Sequence, residues 1–352
     1  MNVETSVDQE AELHPSAYAP YRNPRDYILS WTDAIWVNQA AGLIRDHYAP
    51  NVKVHTAYAE TYDRESVIRN SIQKMSAFPN GGGGMGEDVI WEQRGETGFI
   101  SSHRVLKSGT HRGFWNYGPP TGRDWISRTV AHCLVRDGVV VEEWLARDEY
   151  KVLNDLGFDP AAMAKQLAVS SPVTGKSIAS PDENEAFSGR ITDPFVEGVS
   201  GVRPRRFERE CRLVQGYFDE VWNARRFDRT AVYTSQQIVC HTVRMRRVQG
   251  IQAYQFDLID LIAAFPDAKI ELRDLAVNDS PDLGLRVAAV WLLRGTYSGV
   301  PAYGPVNRAP VALLGASHFE LQDGKILREW RVYDEVAAMA QIAAAEIVRG
   351  IE

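Results

Sequence analysis

Two acid–base candidates stand out in the N-terminal half of the sequence, a histidine and a carboxylate. His55 follows the apolar Val54, and a partly buried histidine can transfer protons near neutral pH. Glu143 and Arg147 lie on one face of a predicted strand, because side chains alternate along a strand. With that face inward, Glu143 becomes a buried carboxylate able to accept a proton. The alternatives are a histidine bonded to the backbone and a salt bridge in an interface.

A second group of candidates surrounds a predicted turn. His103 and Arg104 are neighbours on a strand, so only one of them can face the interior. Arg104 inside would stabilise an enolate or a carboxylate, since a guanidinium stays charged when it is desolvated; outside, it is a solvated arginine. His111 lies in a turn, either at a pocket rim or as a plain turn residue, and Tyr117 is an alternative stabiliser. We predict catalytic roles for His55, Arg104 and Glu143. We predict substrate contacts from Tyr58, Trp91, His103, His111, Tyr117 and Arg147.

The sequence repeats itself over about 130 residues, the length of a whole domain. The motif GTHRG at residues 109–113 corresponds to GTYSG at 295–299. Further pairs follow at the same spacing: Asp137-Gly138 with Asp323-Gly324, Glu143-Trp144 with Glu329-Trp330, and Asp148 with Asp334. We predict an N-terminal extension over 1–23, a catalytic domain over 24–160, a linker over 161–205 and a second, structural or degenerate domain over 206–352.

Each copy begins with helical periodicity and continues with strands. In the first copy, strands are predicted at 88–94, 98–106, 124–135 and 139–146. Each Asp-Gly pair is predicted to form a hairpin turn, in which both central residues need positive φ. Asp148 and Asp334 are predicted helix N-caps. Helices followed by a strand meander indicate an α+β fold, with two tandem cone-shaped barrels whose curved, mostly antiparallel sheets wrap around the first helices.

The segments 109–123 (GTHRGFWNYGPPTGR) and 136–157 together resemble the SnoaL-like polyketide cyclase family, of the nuclear-transport-factor-2-like superfamily. The resemblance covers nearly all of the first copy and, more loosely, the second. It implies a domain without cofactor or metal and with a deep, mostly apolar pocket. Relatives include cyclases, isomerases, dehydratases, hydrolases and proteins that only bind, so the reaction must be inferred from the site.

The catalytic pair of the family's cyclases is displaced or missing in this chain. By the resemblance, a histidine belongs at position 131 and an aspartate at 145, where the sequence has Ala131 and Leu145. His132 is one residue away, and on a strand that offset turns a side chain to the opposite face. The second copy has Ser317 and Arg331 at these positions. Glu143 is therefore the candidate that replaces the aspartate.

Composition and short sequence patterns limit the classes of partner and the location that we predict for this protein. The chain of 352 residues has a formal charge of −7, which argues against nucleic acid. Its apolar runs are too short to cross a bilayer, and it has no secretory leader pattern, so we predict a cytoplasmic protein. The sequence 81–86 (GGGGMG) lacks the preceding strand of a dinucleotide fingerprint and is predicted to be a mobile loop or lid. We expect the two domains to form an internal pseudo-dimer by sheet-on-sheet packing, with further homo-oligomers left open.

Taken together, these features predict a cofactor-independent enzyme, a lyase, isomerase or cyclase, that uses acid–base chemistry on an apolar cyclic or aromatic small molecule. His55 or Glu143 would be the base, and Arg104 or Tyr117 would stabilise the oxyanion. The alternatives are a water-activating hydrolase, a non-catalytic binding protein for a hydrophobic metabolite, and an interaction scaffold whose cones are filled by side chains.

Overall fold

The computed structural model describes residues 12–58, 60–81, 84–170, 207–348 and 350. Each half of the chain forms a six-stranded sheet with helices, so the architecture is α+β as predicted. Short 3-10 turns occur at Pro15–Ala17, Ala41–Leu43 and Phe227–Arg229.

Side-chain caps fix where several helices of the N-terminal half begin. Asn23 accepts a hydrogen bond from the Asp26 amide, and Asp148 accepts one from the Lys151 amide, as predicted for a cap at Asp148. The first helix continues into a π-helical turn at Asp33–Val37. The helices are α1 (Pro24–Thr32), α2 (Ile44–His47), α3 (Arg64–Ala77), α4 (Glu149–Leu156) and α5 (Pro160–Ser170).

The strands of the first sheet include the four that the sequence predicts, with ends that match the prediction or differ from it by up to four residues. They are β1 (Tyr48–Thr56), β2 (Glu60–Thr61), β3 (Gly84–Gln93), β4 (Gly98–Thr110), β5 (Asp124–Arg136) and β6 (Val139–Arg147). Their order in the sheet is β2-β1-β6-β5-β4-β3, and β1 pairs with β6 in parallel while the other pairs are antiparallel.

The C-terminal half repeats this plan. Its helices are α6 (Glu208–Gly216), α7 (Thr230–Tyr233), α8 (Ile251–Ala264) and α9 (Glu335–Val348), with a π-helical turn at Tyr217–Asn223 after α6. Its strands are β7 (Thr234–His241), β8 (Arg247–Gln249), β9 (Lys269–Ser280), β10 (Gly284–Thr296), β11 (Pro310–Gln322) and β12 (Lys325–Tyr333). The order β8-β7-β12-β11-β10-β9 matches that of the first sheet.

The two Asp-Gly hairpin turns have the predicted backbone. Asp137 and Gly138 have φ of 48° and 80°, and Asp323 and Gly324 have φ of 52° and 70°. Both central residues of each turn are thus left-handed, as a type I′ turn requires. These turns set the register of β5 with β6 and of β11 with β12, which decides which side chains share a face.

The outer faces of the two sheets pack against each other. One apolar cluster combines side chains from both halves: Ile90, Ile100, Leu134, Trp144, Ala276, Ala288, Val290, Leu292, Ala312 and Leu314. Polar contacts also cross this interface, among them Arg286 with Asp88, and His132 Nε2 at 2.9 Å from Asp274 Oδ2. Residues 287–293 are all buried, alternately in the interface and inside the second cone.

Two segments differ from expectation or fall outside the described residues. The predicted linker 161–205 starts within α5, a helix that packs on α9, so its first ten residues are structured; residues 171–206 are outside the described part. The predicted loop at 81–86 already joins the sheet at Gly84, and residues 82–83 are not described. The domain boundaries stay a prediction. No helix among the described residues is both long and apolar enough to span a membrane.

Candidate active site

A cavity opens in the N-terminal half, between α1, α3 and the concave faces of β4, β5 and β6. The empty space between its walls is about 590 Å³ when it is counted out into the solvent at the open mouth. Its wall is formed by Ile28, Trp31, Thr32, Trp36, Tyr48, Lys74, His103, Val105, Lys107, Thr129, Ala131, Cys133, Glu143, Leu145 and Arg147. A smaller space of about 320 Å³ adjoins it and shares Trp36, Lys74 and Lys107.

Strand alternation decides which candidates reach this cavity. On β5, Ala131 lines the cavity while His132 points to the second sheet, as the one-residue offset predicts. On β6, Glu143 and Arg147 line the cavity while Trp144 packs in the interface. Ala131 and Leu145, where the family resemblance places its catalytic pair, are cross-strand partners that both face the cavity.

Glu143 is the buried acid of the cavity. Its side chain is 6% exposed, and the Tyr48 hydroxyl donates a hydrogen bond of 3.1 Å to its Oε2. Burial raises the pKa of Glu143 above the ordinary range, although the Tyr48 hydrogen bond and the nearby Arg147 and Lys107 favour the charged form. A carboxylate with a raised pKa is a stronger base than an ordinary carboxylate.

Three basic side chains line the cavity together with Glu143, the one acid among the described residues of its wall. Burial lowers the pKa of Lys107 to about 7 and that of Lys74 to about 8, and the positive charge of Arg147 adds to both effects. Arg147 Nε is buried and has no hydrogen-bond partner among the described residues. The cavity therefore favours negative charge that develops on a bound molecule.

His103 also faces the cavity, and it stays neutral. Burial and the nearby Lys107 lower its pKa to about 3. Its Nε2 has no hydrogen-bond partner in the described part of the chain. The ring therefore offers a neutral hydrogen-bonding atom to a ligand rather than a charge.

His55, which we expected to be the base, lies on the other face of the sheet. Its backbone pairs with Trp144 across the parallel β1–β6 ladder, so both side chains share the outer face. The ring stacks on Trp144 at 5.3 Å, and its Nε2 lies 2.8 Å from Glu142 Oε1. The prediction that His55 projects into the pocket is therefore wrong.

Arg104 differs from expectation for the same reason. Because His103 takes the inward position on β4, Arg104 points into the interface between the sheets. Its guanidinium donates to Glu87 Oε2 at 3.1 Å and to His318 Nδ1 at 3.2 Å, and it lies 3.8 Å from the centroid of Trp330. Arg104 thus holds the two halves together and does not contact the cavity.

The other predicted contact residues lie away from the cavity wall. Trp91 packs in the core of the first cone, and His111 bonds to Thr121 within its loop. The Tyr117 hydroxyl donates to Glu149 Oε2 at 2.5 Å, at the beginning of α4. Tyr58 belongs to the same neighbourhood, since burial raises its pKa and the nearby charges of Asp334 and Glu149 add to this effect. Of the nine predicted residues, the structure brings together His103, Glu143 and Arg147.

Sequence reasoning missed the two lysines and Tyr48. Lys107 lies four residues after His103 on β4, so the same alternation that selects His103 could have identified it. Tyr48 and Lys74 carried no comparable signal. Within the described residues, no group of three His, Cys, Asp or Glu side chains is arranged to hold a metal ion.

The corresponding place in the C-terminal half is filled by side chains that bond to one another. Arg331 donates to Glu329 at 3.1 Å and to Asp257 at 3.3 Å. Tyr254 and Ser317 donate to the same Glu329 at 2.6 and 2.8 Å. The large side chains Trp222, Trp291, Tyr217 and Phe319 are fully buried around this network.

Comparison with known protein families gives a match in the C-terminal half of the chain. Residues 212–342 match the family model of the SnoaL-like polyketide cyclases. No curated protein sequence matches the chain significantly. The motifs that carry the resemblance in the sequence are clearer in the first copy, whereas the family model matches the second.

Many solved structures are similar to one cone of the chain. A SnoaL-like polyketide cyclase from Agrobacterium tumefaciens is 24% identical, with 37% of this chain and 94% of that chain covered and a TM-score of 0.31. A Jannaschia protein, provisionally named a SnoaL-like polyketide cyclase, is 23% identical, with 39% and 93% covered and a TM-score of 0.35. The predicted resemblance to the SnoaL-like polyketide cyclases is confirmed by the match of residues 212–342 to that family model, and the N-terminal half repeats the strand order of this region.

Proposed function

We propose that the N-terminal half is a cofactor-independent enzyme that moves a proton next to a carbonyl group of an apolar cyclic or aromatic small molecule. One observation carries this proposal: the buried Glu143 faces the cavity and accepts a hydrogen bond from Tyr48. It lies on the same cavity wall as Ala131 and Leu145. A lyase, isomerase or cyclase reaction of this kind needs a base, an oxyanion stabiliser and exclusion of water.

The cavity residues supply each of these parts. Glu143 removes the proton, and its raised pKa makes it a stronger base than an ordinary carboxylate. Arg147 stabilises the enolate that develops, because a cation in a water-poor site interacts strongly with new negative charge. Trp31 and Trp36 provide apolar walls for a ring system.

The test uses 2-tetralone, a bicyclic ketone with acidic hydrogens next to its carbonyl. Nuclear magnetic resonance in D₂O follows their exchange for deuterium. We expect the wild-type protein to accelerate exchange and Glu143→Gln to lower the rate about 10²- to 10⁴-fold. Glu142→Gln is the matched control, because Glu142 lies on the same strand and faces away from the cavity.

The competing functions give different results in the same experiment. Saturable binding of 2-tetralone with no accelerated exchange would contradict the proposal and favour a binding protein. Equal loss from Glu142→Gln and Glu143→Gln would show that the effect is structural. Native mass spectrometry of the freshly purified protein adds the mass of any co-purifying compound and the number of subunits.

We further propose that the C-terminal half, approximately residues 206–352, is a structural partner that covers the outer sheet face of the domain at 24–160. The buried contacts between the sheets support this division of roles. A cytoplasmic location fits the reduced, buried cysteines Cys133, Cys211 and Cys240.

A further inference from the structure

Lys107 occupies a special position in the cavity wall. It lines both the main cavity and the adjoining space, so a molecule in either one meets its side chain. Its Nζ lies 5.0 Å from the centroid of Trp36, an aromatic residue that lines the same two spaces. The amine is therefore presented on an apolar surface at the place where a ligand would sit.

The charges around Lys107 disfavour its protonated form. Among the described residues, no carboxylate lies within ion-pair distance of its Nζ, whereas Lys74 and Arg147 share the cavity. Both cations repel an additional positive charge, and the attraction of Glu143 and Glu149 offsets this only in part. Burial acts in the same direction, so the pKa falls to about 7 and much of the amine is free near neutral pH.

Lys74 is the natural alternative, and its geometry is less suitable. Its Nζ lies over the ring of Trp125 at 5.7 Å, and Trp125 belongs to the apolar cluster under α4 rather than to the cavity wall. Its amine is thus directed away from the space that a ligand would fill.

We propose that Lys107 is an amine nucleophile that forms an imine with an aldehyde or ketone whose apolar, aromatic body fills the cavity. The amine nitrogen attacks the carbonyl carbon, and a nitrogen-bound proton passes to the oxygen. The carbon–oxygen bond then breaks, the hydroxyl group leaves as water together with the second nitrogen-bound proton, and a carbon–nitrogen double bond remains, with no change in oxidation state. A desolvated lysine beside other cations is the activated form that this chemistry uses. This role uses the cavity of the proposed function but not proton transfer by Glu143.

Reductive trapping of the full-length protein tests the proposal. The protein is incubated at pH 7 with 2-naphthaldehyde and sodium cyanoborohydride, which reduces an imine to a stable amine. Peptide mass mapping then locates the adduct. We expect a single fast adduct on Lys107, at least ten times more abundant than the adduct on the exposed Lys165.

Variants separate the chemistry from the fold. Lys107→Arg keeps a long basic side chain but cannot form the imine, so it should lose the fast adduct, and thermal unfolding checks that the variant is folded. Lys107→Met serves as a second loss variant, and Lys165→Arg is the control that keeps the adduct. A fast adduct that survives in both Lys107 variants, or labelling spread over surface lysines by exposure, would overturn the proposal.

Two further measurements sharpen the test. The labelling rate should rise with pH and level off above about pH 7, and Lys74→Met should move this rise to higher pH because a repelling charge is removed. Glu143→Gln should keep the adduct while it loses deuterium exchange on 2-tetralone. A protein that forms the adduct but does not accelerate exchange would therefore contradict the proposed function and leave the role of Lys107 intact. A protein that accelerates exchange but forms no adduct on Lys107 would contradict only the role of Lys107.

Discussion

In the N-terminal half, Ala131 and Leu145 pair across two strands and face an open cavity. In the C-terminal half, the equivalent cross-strand pair is Ser317 and Arg331, and these side chains bond to the buried Glu329. The two sheets have the same strand order, so topology does not decide which cone stays open. The size of a few inward side chains does, because a long arginine and its acidic partners occupy the space that alanine and leucine leave free.

The largest expected difference between the two halves concerns their inward arginines. Arg331→Met should lower the free energy of unfolding by about 3–5 kcal/mol, because it leaves Glu329 and Asp257 buried without their cation. Arg147→Met should change it by less than about 1 kcal/mol, since Arg147 borders a cavity. Urea unfolding followed by circular dichroism measures both. Equal losses would contradict the contrast between an open and a filled cone.

A smaller difference is expected when alanine is enlarged in each cone. Ala289 is 1% exposed and packed in the core of the second cone, so Ala289→Leu should cost about 1–3 kcal/mol through overpacking. Ala131→Leu points into the cavity and should cost less than about 1 kcal/mol. Thermal unfolding of the two variants provides the comparison, and a larger loss from Ala131→Leu would show that the first cone is already tightly packed.

The third effect depends on pH and concerns the acids at the beginning of α4 and α9. Burial raises the pKa of Asp148 to about 7, so the folded state binds a proton that the unfolded state has released. Stability from this group is present at acidic pH and is lost as the pH rises from about 4 to about 7, by roughly 1 kcal/mol per pH unit. Asp148→Asn should flatten this slope while keeping the helix cap, and Asp334→Asn should do the same in the second half. Urea titrations at several pH values measure the slope, and an unchanged slope in both variants would contradict the assignment.

The repeat and the fold followed from the sequence, because they depend on patterns that local residues determine. The Asp-Gly turns confirmed the predicted hairpins, and the one-residue offset predicted that His132 turns away from the cavity. The face of β1 could not be derived in this way. It depends on the parallel pairing of His55 with Trp144, a contact between strands far apart in the sequence.

Which of His103 and Arg104 faces the cavity also depends on contacts between distant parts of the sequence. Alternation established that only one of them faces inward, but the direction depends on how β4 packs against the second half. The sequence did not predict the two cavity lysines, for a different reason. Lys74 and Lys107 come from a helix and a strand that meet only in the folded chain, and lysine is a common surface residue.

The polar pairs across the two sheets have a consequence for assembly. His132 of the first half meets Asp274 of the second, and the acceptor Nδ1 of His318 meets Arg104. The outer sheet face of the N-terminal half is therefore complementary to that of the C-terminal half, and neither face is complementary to a second copy of itself. Two copies of the N-terminal half would bring His132 and Arg104 together without Asp274 and His318. If the halves were produced as separate polypeptides, each should select the other and form a heterodimer in preference to either homodimer.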